Sequence, residues 1–577
     1  MSKQHFNSRA PLTVTFDQFH GITTPSPTCK HPTKRIVNFR IGEDGSLQKR
    51  PGTQMLFNFP EKIRSHWSGY LNGTFRLYLL SGNTLYLSYP HTNSYTAIGE
   101  VSTVSGPAAF FSLQGTLYMS DGEDLYCIRN DQLTRAVGYV PLYGKDWDND
   151  NMGEIHEPFN ILNPHVRITY HVSAPPSIFL RVPEKIVSVE AIFRNGLRLP
   201  DDAFQLNTEY NVIEIDDLAA EDFLEVYLTF EHNLSHLRRL FCSMRGSVFF
   251  GAPEKSRTFF FGADGSDTIF CTENVAPEEL DHACRIYRSD PLYLPEGNDF
   301  RMGERNYPIH GALRHKNNLL IFTEGETWLG GVDSTGHTAL PSILVNSELG
   351  ALSSDAYVLA QNDPITISRH GLYLWQSEDP DVTQRDAVRI SQAIDEILTT
   401  ENLKSAALFY DSMRDELWLN LPERNEIWIY SMKRGEWFCF TGISVDRFFD
   451  ADGQVGFFSG SKVGVFDPTL SCDLSLDGTY NQIPAVYESG PLDFDTEQRK
   501  NLSELSLCGD FDAALLTVKL RTNSGKAIDR MLDTSQHLGH TSLTLRTRSG
   551  RFQTLSLSLA TENLAFPSIH SLTLTAH

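Results

Sequence analysis

Glu416-Leu417-Trp418-Leu419-Asn420 turns through Pro422 into Glu426-Ile427-Trp428-Ile429-Tyr430, and Gly435-Glu436-Trp437-Phe438-Cys439-Phe440 follows at once. These are three short apolar, aromatic-rich runs separated by turn residues. That pattern reads as three consecutive antiparallel strands. The same unit occurs earlier, where Thr74–Leu80 passes through Ser81-Gly82-Asn83 into Thr84–Leu87. Gly115–Met119 leads through Ser120–Asp124 into Leu125–Ile128, and Asn318–Phe322 through Glu324-Gly325-Glu326 into Thr327–Leu329. Gly371–Trp375 is another such strand, and Gln454–Gly460 with Val463–Phe466 forms one more pair.

Matched strands beginning at Thr84 and Thr116 are 32 residues apart. Later units follow at roughly 40–50 residues, the period of four-stranded propeller blades. A blade cannot bury both faces alone, so several must stack around an axis. The expectation is an all-β chain: a β-propeller of about six to eight blades. A stacked array of β-sandwiches is the competing architecture. Helical periodicity is nearly absent; Asp386–Thr400, with Val388, Ile390, Ile394, Ile397 and Leu398, is the one helix expected.

Two stretches depart from the blade pattern. Residues 145–235 contain alternating runs such as Val166–Tyr170, Ile186–Val189, Val212–Ile215 and Leu224–Phe230, with a hairpin turn at Asn195-Gly196. They read as a β-sandwich inserted between blades. Residues 480–577 alternate Leu with Ser or Thr, as in Thr554–Leu559, and read as a C-terminal β-sandwich. Its strand edges invite contact with a neighbouring chain. The expected order is therefore an N-terminal arm and closing hairpin at 1–60 and first blades at 61–144. The insertion follows at 145–235, remaining blades at 236–479 and the C-terminal sandwich at 480–577.

The 577 residues carry a formal charge of -23, distributed unevenly. Residues 1–60 hold eight Lys/Arg against three Asp/Glu, residues 61–479 hold 32 against 59, and residues 480–577 hold nine against ten. A basic arm thus precedes an acidic body. That body argues against an open basic face for nucleic acid. Met1–Leu12 lacks the apolar core of a signal peptide, and no run of about 18 apolar residues suggests a membrane anchor. Eight scattered cysteines without a C-x-x-C pair fit reduced thiols in a protein made in the cytosol.

Signatures of catalysis are missing: there is no G-x-S-x-G, H-E-x-x-H or Walker phosphate loop, and an enzyme is not expected. Thr323–Trp328 overlaps half of a sialidase Asp-box and reads better as a blade turn. In Asp146–Glu157, oxygen side chains fall at the spacing of a calcium loop. Asp146, Asp148, Asp150 and Glu157 are therefore candidate Ca2+ ligands, and an acidic hinge is the competing reading. No other cofactor is expected. Lys49 and Arg50 close the dense stretch Asn38–Thr53, a strand, an Asp-Gly turn, a second strand and a Pro-Gly stop. They are candidate partner-binding residues, or pair with acids of a neighbouring blade.

The run Gly45-Ser46-Leu47-Gln48-Lys49-Arg50-Pro51-Gly52, preceded by Asn38 and a short strand, resembles the N-terminal signature of phage virion propeller proteins. Within these it is most similar to the podophage tail nozzle family, also called tail tubular protein B. The order of Leu319–Trp328, Gly350–Ser353 and His370–Tyr373 also looks like that family. The resemblance implies a structural protein of the virion, made in the host cytoplasm and assembled as a ring, usually a hexamer, beneath a tail adaptor. DNA would pass through the ring without sequence-specific binding, and the acidic body would repel phosphate. Competing functions are a host-surface propeller that binds or cleaves glycans, and a decoration or fibre-anchoring hub of the virion.

Overall fold

The computed structural model describes residues 11–24, 31–148, 153–173, 178–182, 184–251, 256–331, 340, 342–377, 386–512, 514–534, 539–562, 564–565 and 567–577. The chain is all-β, with a seven-bladed propeller at its centre. Blade 1 comprises Ile63–Leu71, Thr74–Ser81, Thr84–Tyr89 and Ser94–Glu100; blade 2 runs from Ala109–Leu113 to Gln132–Arg135. Blade 3 starts at Gly246–Phe250, blade 4 at Ile309–His315, blade 5 at Tyr357–Ala360 and blade 6 at Ala407–Asp411. Blade 7 holds Arg447–Asp450, Val455–Ser459 and Lys462–Asp467. Its fourth strand is Gly52–Asn58, paired antiparallel from Lys462↔Asn58 to Asp467↔Gly52. The first strand of each blade packs on the first strand of the next, and Arg447–Asp450 meets Ile63–Leu71, so the ring closes.

Local chemistry explains the blades. Hairpin turns fall on Asn72-Gly73, Gln114-Gly115 and Asn195-Gly196, each pair at positive φ. This backbone is the one whose twist matches two paired strands. The core lies between blades. Leu320 and Phe322 of blade 4, Ile367 and Trp375 of blade 5, and Leu419 and Trp437 of blade 6 share one buried cluster. The expected helix at Asp386–Thr400 is not formed. Asp386–Arg389 is the outer strand of blade 5, paired with Gly371–Gln376, and only Thr400–Lys404 is α-helical beyond it. Val388 is exposed at the blade rim, so the apolar spacing does not mark a buried helix face.

The insertion runs between blades 2 and 3. Leu142–Trp147, His165–His171, Ile186–Arg194 and Phe223–Phe230 belong to a six-stranded sheet, and Ile178–Arg181, Phe204–Asn207 and Val212–Ile215 form a three-stranded one. Val166, Ile168, Ile192 and Leu224 of the first sheet pack with Ile213 and Ile215 of the second, which makes a sandwich.

The two ends of the chain are woven together. Leu12–Phe16 pairs with Ser568–Ala576, and Phe39–Ile41 with Leu47–Lys49 joins the same sheet as Leu502–Asp510 and His540–Arg546. Thr33–Val37 lies between the outer strand of blade 6 and Ala485–Ser489. Blade 6 therefore continues outward through Leu555–Thr561 and Leu515–Thr522 to Ala527–Asp533, a sheet of nine strands. Of the segment expected as a basic arm, Leu12–Phe16, Thr33–Val37, Phe39–Ile41 and Leu47–Lys49 belong to the two sheets of this sandwich. The hairpin expected to close the propeller lies in the sandwich too, and the strand after it closes the ring.

Candidate functional site

Asn38, at φ +55, sits where blade 6, blade 7 and the C-terminal sandwich meet. Its backbone N–H donates to Cys439 O at 2.8 Å, and its side-chain amide donates to Pro484 O at 2.7 Å and Thr441 Oγ1 at 3.1 Å. Its Oδ1 accepts from Thr441 N–H at 2.8 Å and Arg50 Nε at 3.1 Å. The Arg50 guanidinium then reaches Asp473 with bonds of 2.9 and 2.6 Å. Asp473 Oδ1 also accepts from the Thr53 N–H and hydroxyl, at 3.0 and 2.9 Å. Gly52 has no room for a side chain: a Cβ there would lie 2.0 Å from Cys472 O.

Lys49 and Arg50, expected to face a partner, are instead 0% and 1% exposed. The Lys49 ammonium donates to Ala565 O at 3.1 Å, and burial brings its pKa down to about 8. The sequence could not show that Asp473 returns to this point, so two adjacent cations read as surface charge. The signature stretch is a knot that fastens the propeller closure to the C-terminal sandwich.

The flanks of the acidic loop pair antiparallel, Gly144↔Ile155 and Lys145↔Glu154. Asp146 turns to His171, 3.4 Å away, whereas Glu157 accepts from the Tyr139 hydroxyl at 3.0 Å and the Leu142 N–H at 2.6 Å. Burial raises the Glu157 pKa. The first and last candidate Ca2+ ligands thus turn to different partners. Asp148 is half-buried, and Asp150 lies outside the described residues.

Charge is sorted between the two sandwiches. Residues 142–230 hold 16 Asp/Glu against six Lys/Arg, and residues 199–237 contain no Lys or Arg at all. Asp201, Asp202, Glu209, Asp216, Asp217 and Glu221 are exposed there. The C-terminal sandwich presents the opposite sign at its rim. Residues 515–551 hold seven Lys/Arg against Asp529 and Asp533. All seven (Lys519, Arg521, Lys526, Arg530, Arg546, Arg548 and Arg551) are exposed, and none makes an ion pair among the described residues. Ala527–Asp533 and His540–Arg546, terminal strands of its two sheets, each pair along one edge alone among the described residues. Eight strand spacings along the nine-stranded sheet, roughly 40 Å, separate Ala527–Asp533 from Ala407–Asp411, the innermost strand of blade 6. The insertion leaves the ring between blades 2 and 3, half a turn from blade 6 in a ring of seven. The overall charge count hid this sorting; a count by segment reveals it.

The acid surplus is not on the propeller axis. The innermost strands carry Arg64, Arg314 and Arg447 against Asp411 and Asp450. A cleft of about 630 Å³ opens between blades 1 and 7, lined by Lys62, Arg64, His66, Asp446 and Arg447 among others. Its polar groups are engaged in holding loops. Arg64 donates to Thr103 O at 2.7 Å, Gly82 O at 2.9 Å and Ser105 O at 2.9 Å, and Asp446 pairs with Lys62 at 3.6 Å. At Thr323–Trp328, the Thr323 hydroxyl accepts from Glu326 N–H at 3.0 Å and Trp328 Nε1 donates to the Glu326 carboxylate at 3.2 Å. That turn joins two strands of blade 4.

No family model matches the chain, and no curated protein matches it. Solved structures do. BBS1N in complex with ARL6DN is 11% identical, with 74% of this chain and 98% of that one covered at a TM-score of 0.26. The extracellular domain of a one-component system from B. thetaiotaomicron is 11% identical, with 93% and 98% covered at 0.15. The S. cerevisiae core factor is 8% identical, with 55% and 57% covered at 0.27. Likeness at these scores carries no argument, and the propeller is read from the sheet order itself. Among the described residues, no helix is long and apolar enough to cross a membrane.

Proposed function

We propose that this chain is a structural subunit of a phage tail, a nozzle-like ring protein whose copies surround exiting DNA. One observation carries the assembly: an acidic sandwich and a basic, open-edged sandwich rim leave one propeller half a turn apart. Two different, complementary patches on one chain make a head-to-tail contact, and such contacts generate rings when the rotation closes. The open strand edges add backbone hydrogen-bonding groups to the charge attraction.

The phage assignment rests on the likeness of the Val37–Thr53 stretch, and the knot built from Asn38, Arg50 and Thr53 gives that stretch a physical reason to be there. DNA would pass through the lumen of the ring, not through the propeller axis. A lumen lined by part of the acidic surface would keep the phosphates moving. The ring would dock to a tail adaptor and to other virion proteins, and six copies are expected. The chain would act by shape and charge, with no catalytic step. Cryo-EM of the assembled particle tests this. A ring of this chain around the tail axis is expected, and placement of single copies away from the axis would overturn the reading.

A further inference from the structure

We propose that Asp510, His540 and His570 form a binding site for a first-row divalent transition metal, with zinc the best fit to the donor set. The three side chains each turn one ligand atom inward, and these atoms all lie within 4.8 Å of one another. His570 Nε2 is 3.3 Å from Asp510 Oδ2, and His540 Nδ1 is 3.7 Å from Asp510 Oδ1. With metal–ligand bonds of about 2.0–2.1 Å, neighbouring ligands of a tetrahedral zinc are about 3.3 Å apart. Asp510 and His570 already stand at that separation, and the other ligand atoms close onto an ion by moving inward.

The sheet builds this cluster from three remote segments. Asp510 ends its strand directly opposite His540, the first residue of the edge strand His540–Arg546. On the other side the register slips: Cys508 faces Ser571, but Gly509 faces Ile569, which leaves His570 as an extra residue. A bulge of this kind turns two consecutive side chains to one face. Ile569 and Leu572 are buried, while His570 and Ser571 point outward beside Asp510. Gly509 is needed for the approach, because a Cβ there would lie 2.2 Å from Ser568 O.

The second nitrogen of each imidazole is also held. His570 Nδ1 is 3.2 Å from Asp44 Oδ2, and His540 Nε2 is 3.2 Å from Cys508 Sγ. A ligating histidine is normally oriented this way, with its remote nitrogen bonded to a carboxylate or another polar group. Two imidazoles and a carboxylate suit zinc and its neighbours better than calcium or magnesium, which prefer all-oxygen cages. The side chains of His540, Asp510 and His570 are 64%, 49% and 32% exposed. A fourth coordination position is therefore open to water or to a donor from another molecule.

The test is Zn2+ binding to the full-length chain, measured by competition with a chromophoric chelator. One equivalent is expected to bind. His540→Ala and Asp510→Asn should weaken it by more than 100-fold, and Asp44→Asn by about 10-fold, the range for removing an orienting partner. His540 is exposed at a strand end, so His540→Ala should melt with the wild type in the absence of metal, and the loss then reports the site. No saturable binding, or wild-type affinity in both His540→Ala and His570→Ala, would overturn the proposal.

Discussion

Arg50 and Asp473, 423 residues apart in sequence, meet through two hydrogen bonds of 2.9 and 2.6 Å. The pair stands where the strand that closes blade 7 leaves the C-terminal sandwich. It ties the first strand of the propeller to the segment that follows its last.

Arg50→Ala should therefore destabilise more than its length of chain suggests. The Arg50 side chain is 1% exposed, and its loss leaves Asp473 without its cation and Asn38 Oδ1 with one donor in place of two. Breaking such a pair costs about 3 kcal/mol or more. Urea unfolding is expected to shift to lower midpoint, with Arg50→Lys recovering little because a single nitrogen cannot span Asn38, Pro51 and both oxygens of Asp473. A midpoint unchanged in Arg50→Ala would show that the knot does not hold the closure.

Lys49 gives a pH signature. Its folded pKa is about 8, lowered first by burial and next by Arg50, whereas an unfolded lysine titrates near 10.4. Between these values the unfolded chain holds a proton that the folded chain has released. This group therefore opposes folding below about pH 8, and its penalty fades as pH rises toward 10. Buried thiols act in the opposite sense: burial pushes Cys242 up to about 12, so stability from it falls above the ordinary thiol range. The readout is thus the difference between wild type and Lys49→Met. That difference should favour the variant at pH 7 and shrink toward pH 9.5; a constant difference would contradict it.

Charge at the sandwich rim should govern assembly. Arg521→Glu, Lys526→Glu and Arg530→Glu together alter only exposed side chains, so folding should be unaffected and oligomers should dissociate. Raised salt should weaken the wild-type assembly in the same way, because exposed charges are screened. Adding Asp201→Lys, Asp202→Lys and Asp217→Lys to the reversed rim should restore association. Sedimentation velocity reads all three. Assembly of the reversed rim as wild type would remove the charge argument.

Much of the propeller was legible because its signals are local. Alternation in Glu416–Leu421 and Glu426–Ser431, and turn residues between them, fix a hairpin without reference to the rest of the chain. The weave of the termini has no such signal: Leu12 pairs with Ala576 across the whole sequence, and either strand alone reads only as an alternating run. Val388 shows the opposite error: it and Ile390 are two apart, a spacing that shares a strand face and splits across a helix, and Asp386–Arg389 is a strand. Arg50 was visible as a charge, but its burial depends on Asp473, which lies beyond the last blade. Asp510, His540 and His570 share no spacing in sequence; a bulge and a strand register bring them together.

Native mass spectrometry of the full-length chain at low and raised ionic strength tests the central claim most directly. A closed ring, six copies at low salt, falling to monomers as salt rises or when the rim charges are reversed, is the predicted result. A monomer under all conditions would contradict it.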